Sequence, residues 1–199
     1  MNAVSDAPRS PQYLSTDELR QMNFARLGQN VLIHRHCNIV NPDRISCGDS
    51  VRIDGFTNVI ASRSIRFGSY IHIGSFCNLA GGEEIEINDF STLSQGVKLF
   101  TTSDDYSGAA MTNPTVPEAY TAVHREPVRI GRHVVVGSSS VVLPGSDIGD
   151  GVAVGALSLV KGKLEPWGVY GGIPARRIKE RKRDLLQLEA EFLSARSTG

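Results

Sequence analysis

Aliphatic residues recur along this chain with a step of six, and in its first half also with a step of twenty. Cut in twenties from Ala25, the chain aligns Leu27, Cys47, Phe67 and Ile87. Six residues on stand Ile33, Ile53, Ile73 and Leu93, and six further Ile39, Val59, Leu79 and Leu99. From Ile130 the step is a strict six through Val136, Val142, Ile148, Val154 and Val160, with glycine following at Gly131, Gly137, Gly149 and Gly155. A hexad reads as one short strand plus a corner, its aliphatic residue pointing inward. Three hexads make a triangular coil, and the two additional residues in each twenty widen one corner. A coil cannot bury its own core, so stacking supplies the stability. The expected fold is all-β, a parallel β-helix over residues 25–172. Ser15-x-x-Glu18 is a capping box and predicts a short helix ending near Met22, within an N-terminal extension over 1–24. Ala175 to Arg196 reads as helical, with Leu185, Leu188 and Phe192 as an apolar stripe, in a C-terminal segment over 173–199. The period lapses over 105–127, where Tyr106, Gly108, Pro114, Pro117 and Tyr120 mark a loop inserted into the stack. Loops of this length in a compact domain are usually functional or disordered, and the two tyrosines and fixed-turn prolines favour the functional case.

Composition narrows the function. The 199 residues make about one domain. Lys+Arg and Asp+Glu balance at 21 each, which argues against a nucleic-acid partner bound through a broad basic field. Glycine is high at 20 residues but far below the collagen proportion. No run of 18 apolar residues occurs, so no membrane span is expected. Met1 to Ser10 lacks the apolar stretch of a signal peptide, and the three cysteines form no CxxC pair. A cytoplasmic protein without a disulfide framework or a metal site is expected.

The residues that bear chemistry fall into few groups. Cys37, Cys47 and Cys77 take inward slots and read as core packers. Of the five histidines, His72 is outward on the third complete coil with Tyr70 nearby, and His124 ends the loop as either a general base or a surface residue. Asn38, Asn58 and Asn78 recur every twenty, as a structural amide ladder or as substrate contacts. Ser94 and the run from Thr101 to Gly108 lie where the regular coil gives way to the loop. Asp105-x-x-Gly108 suits an Asx turn, and one aspartate suffices for it, which leaves Asp104 open to another role. Arg176, Arg177, Lys179, Arg181, Lys182 and Arg183 follow a glycine turn as either a solvated helix face or a phosphate site.

The hexad ladder, the loop SDDYSG…NPTVPEAY and the ending VAVGALSLVK…GIPARRIKERKR resemble the hexapeptide-repeat acyltransferases. Within them the chain is most similar to the nucleotide-linked amino-sugar N-acyltransferases of the anthrose and dTDP-4-amino-4,6-dideoxyglucose type. The resemblance spans about residues 25–183. It implies a left-handed parallel β-helix, a homotrimer with active sites between neighbouring prisms, and acetyl-CoA or another short acyl-CoA as co-substrate. It also implies a nucleotide-linked amino sugar as acceptor, in surface-glycan biosynthesis. Asp104 matches an active-site aspartate that is one candidate for the base, Ser94 a serine near the reacting centre, and His72 a histidine in the third coil. His124 has no histidine counterpart there. The coenzyme is then expected along Gly137-Ser138 and Gly155-Ala156, eighteen residues apart and so on one corner, with Lys161, Arg176 and Arg177 toward its phosphates. Asn78, Tyr106, Tyr120 and His124 are left as the acceptor's contacts.

The implied reaction is direct attack of the sugar amine on the thioester. An amine with a pKa around 8 is partly neutral near pH 7 and needs only a carboxylate's help to lose its proton. The alternative on the same fold is a sugar or polysaccharide O-acetyltransferase, whose less acidic hydroxyl favours a histidine base. A metal-dependent hydratase and a purely structural β-helix are the other classes weighed. The last would need flat Thr-x-Thr ladders, whereas this sequence interrupts its ladder with the loop over 105–127.

Overall fold

The computed structural model describes residues 12–197; residues 1–11 of the N-terminal extension lie outside them. The hexads form the parallel strands of three sheets that wrap one core, the second sheet also taking one antiparallel closing strand, and the chain visits them in rotation. The first sheet has seven strands beginning at Arg26–Leu27, the second has eight beginning at Leu32–Ile33, and the third has six beginning at Asn38–Val40. The architecture is a parallel β-solenoid. Its register follows the repeat, since Ile33 pairs with Ile53, Ile53 with Ile73, Ile73 with Leu93 and Leu93 with Val136. These inward side chains are essentially inaccessible to water. Burying each stabilises the fold by about 1.5–3 kcal/mol relative to exposure.

The coils shorten along the axis. Ile45 pairs with Ile65 across twenty residues, Ile130 with Ile148 across eighteen, and Ile148 with Leu164 across sixteen. In the early coils the additional residues extend the third face and its exit corner, as the buried pair Ala61 and Ile65 around exposed Ser62 and Arg63 shows. The widened corner of the sequence is thereby located.

The other two corners turn through left-handed backbone, which costs about 1–2 kcal/mol for a residue with a Cβ. Here aromatic residues adopt it. Tyr70 (φ 59°) and Phe90 (φ 61°) stack at 4.7 Å, His133 (φ 55°) continues the pile at 5.0 Å, and Phe56 and Phe76 stack at 5.3 Å. Ring stacking of this kind contributes about 0.5–1.5 kcal/mol a pair and offsets part of the backbone cost.

Helix α1, Thr16–Gln21, carries the predicted capping box: the Ser15 side chain accepts from the Glu18 amide and Glu18 accepts from the Ser15 amide. The C-terminal expectation needs correction. Arg176–Glu180 is a strand, antiparallel to Gly168–Gly171, and only Leu185–Ser197 is helix (α2). The second sheet would otherwise end on an unpaired edge, and pairing it outweighs the helix propensity of this Arg- and Lys-rich run. Along α2, Phe192 meets Tyr70 and Phe90, and Glu189 takes His133 Nε2 at 2.8 Å and the Arg132 guanidinium. Leu188, expected in the same stripe, is exposed.

Candidate active site

Two separate loci hold the chemistry. The first is the corner between the second and third faces. Backbone hydrogen bonds stack His34, Asp54, Gly74, Ser94, Gly137 and Gly155 there in one column, each amide donating to the next coil, as from Ser94 to Val136 at 2.9 Å and from Gly137 to Val154 at 2.8 Å. Ser94 therefore stands level with the glycines at which the coenzyme is expected. Its carbonyl accepts from the Cys77 thiol at 3.1 Å, and its own hydroxyl is unengaged among the described residues. Gly74 stands between Ser94 and Asp54 in the column and packs closely on the next coil, since a Cβ there would come within 2.8 Å of the Gln95 amide nitrogen.

His72 lies two residues before Gly74, outward on the second face and paired with Thr92. Its Nε2 is 2.8 Å from Asp54 Oδ2, while Asp54 Oδ1 accepts from Arg52 Nε at 2.7 Å and from the Tyr13 hydroxyl at 3.2 Å. Burial acts to raise the Asp54 pKa, but the hydrogen bonds from His72 and Arg52 outweigh it and hold the carboxyl below its ordinary value. Asp54 escaped the sequence reading. The twenty-residue register puts it in the column of Ser94, and that was the signal available.

The second locus is the arm. Thr102–Ser103 pairs antiparallel with His124–Arg125, closing the neck of the inserted loop. Asp105 makes the Asx turn: Oδ1 accepts from the Ser107 amide at 2.8 Å and Oδ2 from the Ala110 amide at 2.9 Å. The Ser107 contacts, followed by those amides, pull its carboxyl down to about 2. Asp104 is thereby freed. Its exposed carboxylate has no partner among the described residues and lines a cleft of about 560 Å³ with Ser103, Gly82, Asn113, Glu118 and Arg125. Tyr106 and Tyr120 are exposed on the arm without lining this cleft. His124 sits 3.5 Å from Glu126.

The remaining candidates are placed as follows. Asn78 continues the register Asn38, Asn58, Asn78 on the third face, with Lys98 next. The amides do not hydrogen-bond one another among the described residues, so the ladder is not held together through its side chains. Gly137-Ser138 and Gly155-Ala156 share the Ser94 corner, Lys161 lies at the far end of the third face, and Arg176 and Arg177 lie on the closing strand. The basic run is not one patch. Arg177 pairs with Glu180 at 2.5 Å, Arg183 lies over the Trp167 ring, and Arg181 caps the carbonyls of His133, Gly151 and Val152. Burial raises the thiols of Cys37 and Cys77 to about 11 and that of Cys47 to about 12, as inert packing residues require. No group of three metal-ligating side chains is gathered among the described residues.

The chain is 40% identical over 181 residues to the dTDP-4-amino-4,6-dideoxy-D-glucose acyltransferase of Escherichia coli, covering 90% of this chain and 94% of that one. It is 29% identical over 177 residues to a putative lipopolysaccharide biosynthesis O-acetyl transferase of Escherichia coli (strain K12), covering 79% and 88%. Among solved structures, the N-acyltransferase AntD from Bacillus cereus, in complex with dTDP and 3-hydroxybutyryl-CoA, matches with a TM-score of 0.89 and 41% identity over 94% of this chain and 98% of that one. Further AntD structures carry substitutions at a serine and at an aspartate ten positions later, the spacing that separates Ser94 from Asp104 here. No family model matches the chain.

Proposed function

The chain belongs to the family of the nucleotide-amino-sugar acyltransferases built on hexapeptide repeats, and from that premise we propose that it transfers an acyl group from an acyl-CoA to the amine of a dTDP-linked 4-amino-4,6-dideoxy sugar. The observation that carries the reading is the pair of half-sites: a glycine column ending at Ser94, and the partnerless carboxylate of Asp104 in the arm cleft. The coenzyme's thioester arm lies along the column past Gly155 and Gly137. The sugar enters the arm cleft with its amine toward Asp104.

The amine nitrogen attacks the thioester carbonyl, and the tetrahedral oxyanion is stabilised by donors held at the Ser94 corner. Asp104 takes the ammonium proton as the C–N bond forms. The C–S bond then breaks, and the departing thiolate recovers a proton to leave as coenzyme A. Holding both reactants in one groove supplies much of the rate by orientation.

The half-sites lie at opposite ends of the third-face strand, so we assign the working assembly as a homotrimer in which the arm of one copy meets the Ser94 corner of the next. Both co-substrates are charged and cannot cross a membrane, which assigns the reaction to the cytoplasm, in surface-glycan biosynthesis. No helix among the described residues is long and apolar enough to span a membrane.

The His72–Asp54 pair favours one second reading, an O-acetyltransferase in which the histidine serves a hydroxyl acceptor. A thiol-release assay across acyl-CoA donors, with dTDP-linked 4-amino and 3-amino sugars and the matching hydroxyl sugars, decides between them. Turnover with no amino sugar overturns the N-acyl reading.

A further inference from the structure

The residues that lengthen each early coil open a second cleft, of about 470 Å³, bordered by Asp43, Arg44, Ser62, Arg63, Ser64 and Arg66. Ser62 borders both this cleft and the arm cleft, so the two adjoin along the corner where the third face turns into the first. Their charge differs. The second presents three guanidinium groups against the one carboxylate of Asp43. Arg66 is engaged by Glu84 at 3.4 Å, Glu86 at 3.9 Å and the Ser64 hydroxyl at 3.2 Å. Arg44 spends one N–H on the Ser62 carbonyl, which fixes its head at the cleft edge and leaves its other donors free. Arg63 is exposed, and its guanidinium has no partner among the described residues. The backbone beneath it is fixed, since the Ser62 and Arg63 amides both donate to the Gly81 carbonyl, at 2.8 and 3.2 Å.

Register sets the spacing. Ala61 pairs with Gly81, so the Ser62–Arg63 corner lies one coil before Gly82–Glu83 and two before Thr102 to Asp104. Two strand spacings are about 10 Å, comparable with a pyranose ring and its first phosphate. We propose that this arginine cleft binds the diphosphate of the nucleotide sugar, through Arg63 and Arg44, while the sugar amine reaches Asp104. The inference rests on the N-acyltransferase reading for the sugar and on the guanidinium fork for the anion, since that fork matches phosphate oxygens in pairs. Coenzyme A also carries phosphates. Its proposed column, however, lies across the third face and on later coils.

The test titrates dTDP and, separately, coenzyme A into the wild-type chain, Arg63→Ala and the double variant Arg44→Ala/Arg63→Ala, with melting temperatures to confirm folding and KM for both co-substrates. Affinity for dTDP is expected to fall at least tenfold in Arg63→Ala and further in the double variant. KM for the nucleotide sugar rises in parallel, and coenzyme A binding stays within twofold. Unchanged dTDP affinity in a folded double variant overturns the proposal, as does a wild-type chain that binds no dTDP. A loss that falls on coenzyme A instead would assign the arginines to the donor and equally overturn it. A wild-type chain that binds dTDP through these arginines yet acylates no amino sugar would defeat the functional reading and leave the phosphate subsite standing.

Discussion

Gly137 and Gly155 occupy the same column, yet their surroundings differ enough to separate packing from coenzyme binding. A Cβ built on Gly137 lies 2.4 Å from the Ala156 amide nitrogen and 2.8 Å from the Val154 carbonyl oxygen, both backbone atoms of the next coil. Gly137→Ala therefore forces the two coils apart by about an ångström against a strand spacing of about 4.8 Å, stretching the Gly137–Val154 hydrogen bond. Overpacking of this order costs about 1–3 kcal/mol. For a chain of this size each kcal/mol lowers the melting temperature by roughly 2–4 °C. A Cβ on Gly155 meets nothing closer than the Tyr170 carbonyl oxygen at 3.5 Å, an ordinary contact. Gly155→Ala should thus melt within about 2 °C of wild type, the effect of a surface change near ±0.5 kcal/mol. Its methyl nevertheless projects where the thioester arm is proposed to lie, so KM for acyl-CoA should rise at least fivefold with the nucleotide-sugar KM unchanged. Differential scanning fluorimetry and initial-rate kinetics on the two variants suffice. A Gly155→Ala chain with wild-type KM for acyl-CoA refutes the coenzyme column, and a Gly137→Ala chain with wild-type melting refutes the packing argument.

The remaining predictions concern the arm and the histidines. Asp104→Asn should lower kcat by about 10²–10⁴, the usual contribution of a positioned base, with trimeric sedimentation retained; full turnover would remove Asp104 from the chemistry. Asp105, whose carboxyl is held at about 2 against an ordinary 3.8, contributes arm stability that is complete above 3.8 and lost as pH falls through about 2. Pepsin should accordingly nick the arm increasingly between pH 4 and pH 2, whereas a cleavage rate that tracks only the enzyme's own activity would count against this role. Alanine at His72 and, separately, at His124 should each cost less than tenfold in amine acylation, and severe loss in both would favour the hydroxyl acceptor.

What the sequence made legible was the inside of the prism. The six-residue step is the consequence of an inward side chain on every short strand, so Ile33, Ile53, Ile73 and Leu93, or Val136 and Val154, could be assigned to the core before any coordinates. The Asx turn was legible for a similar reason, since its requirement is local. The closing strand was not: Arg176–Glu180 has the composition of a helix, and only the unpaired edge of Gly168–Gly171 makes it a strand. Nor were the corners. Left-handed backbone ordinarily favours Gly or Asn, and nothing local marks Tyr70 or Phe90 as residues that adopt it so that their rings can stack.

The candidate site was half legible for a reason that belongs to the repeat itself. Period constrains inward positions, whereas the outward residues that carry chemistry are free to vary from coil to coil. Asp54, Gly74 and Ser94 occupy one column yet share no residue type, so they are related by register alone. Register also separates Ser94 from Asp104: the strand Lys98–Phe100 stands between them, about 10 Å of extended chain. That distance exceeds any hydrogen bond between the two side chains within one copy. In the proposed trimer the arm of one prism meets the corner of the next. In that sense the division of the half-sites and the proposed trimer are one inference, and the arginine corner falls on the acceptor's side of the division because it shares Ser62 with the cleft of Asp104.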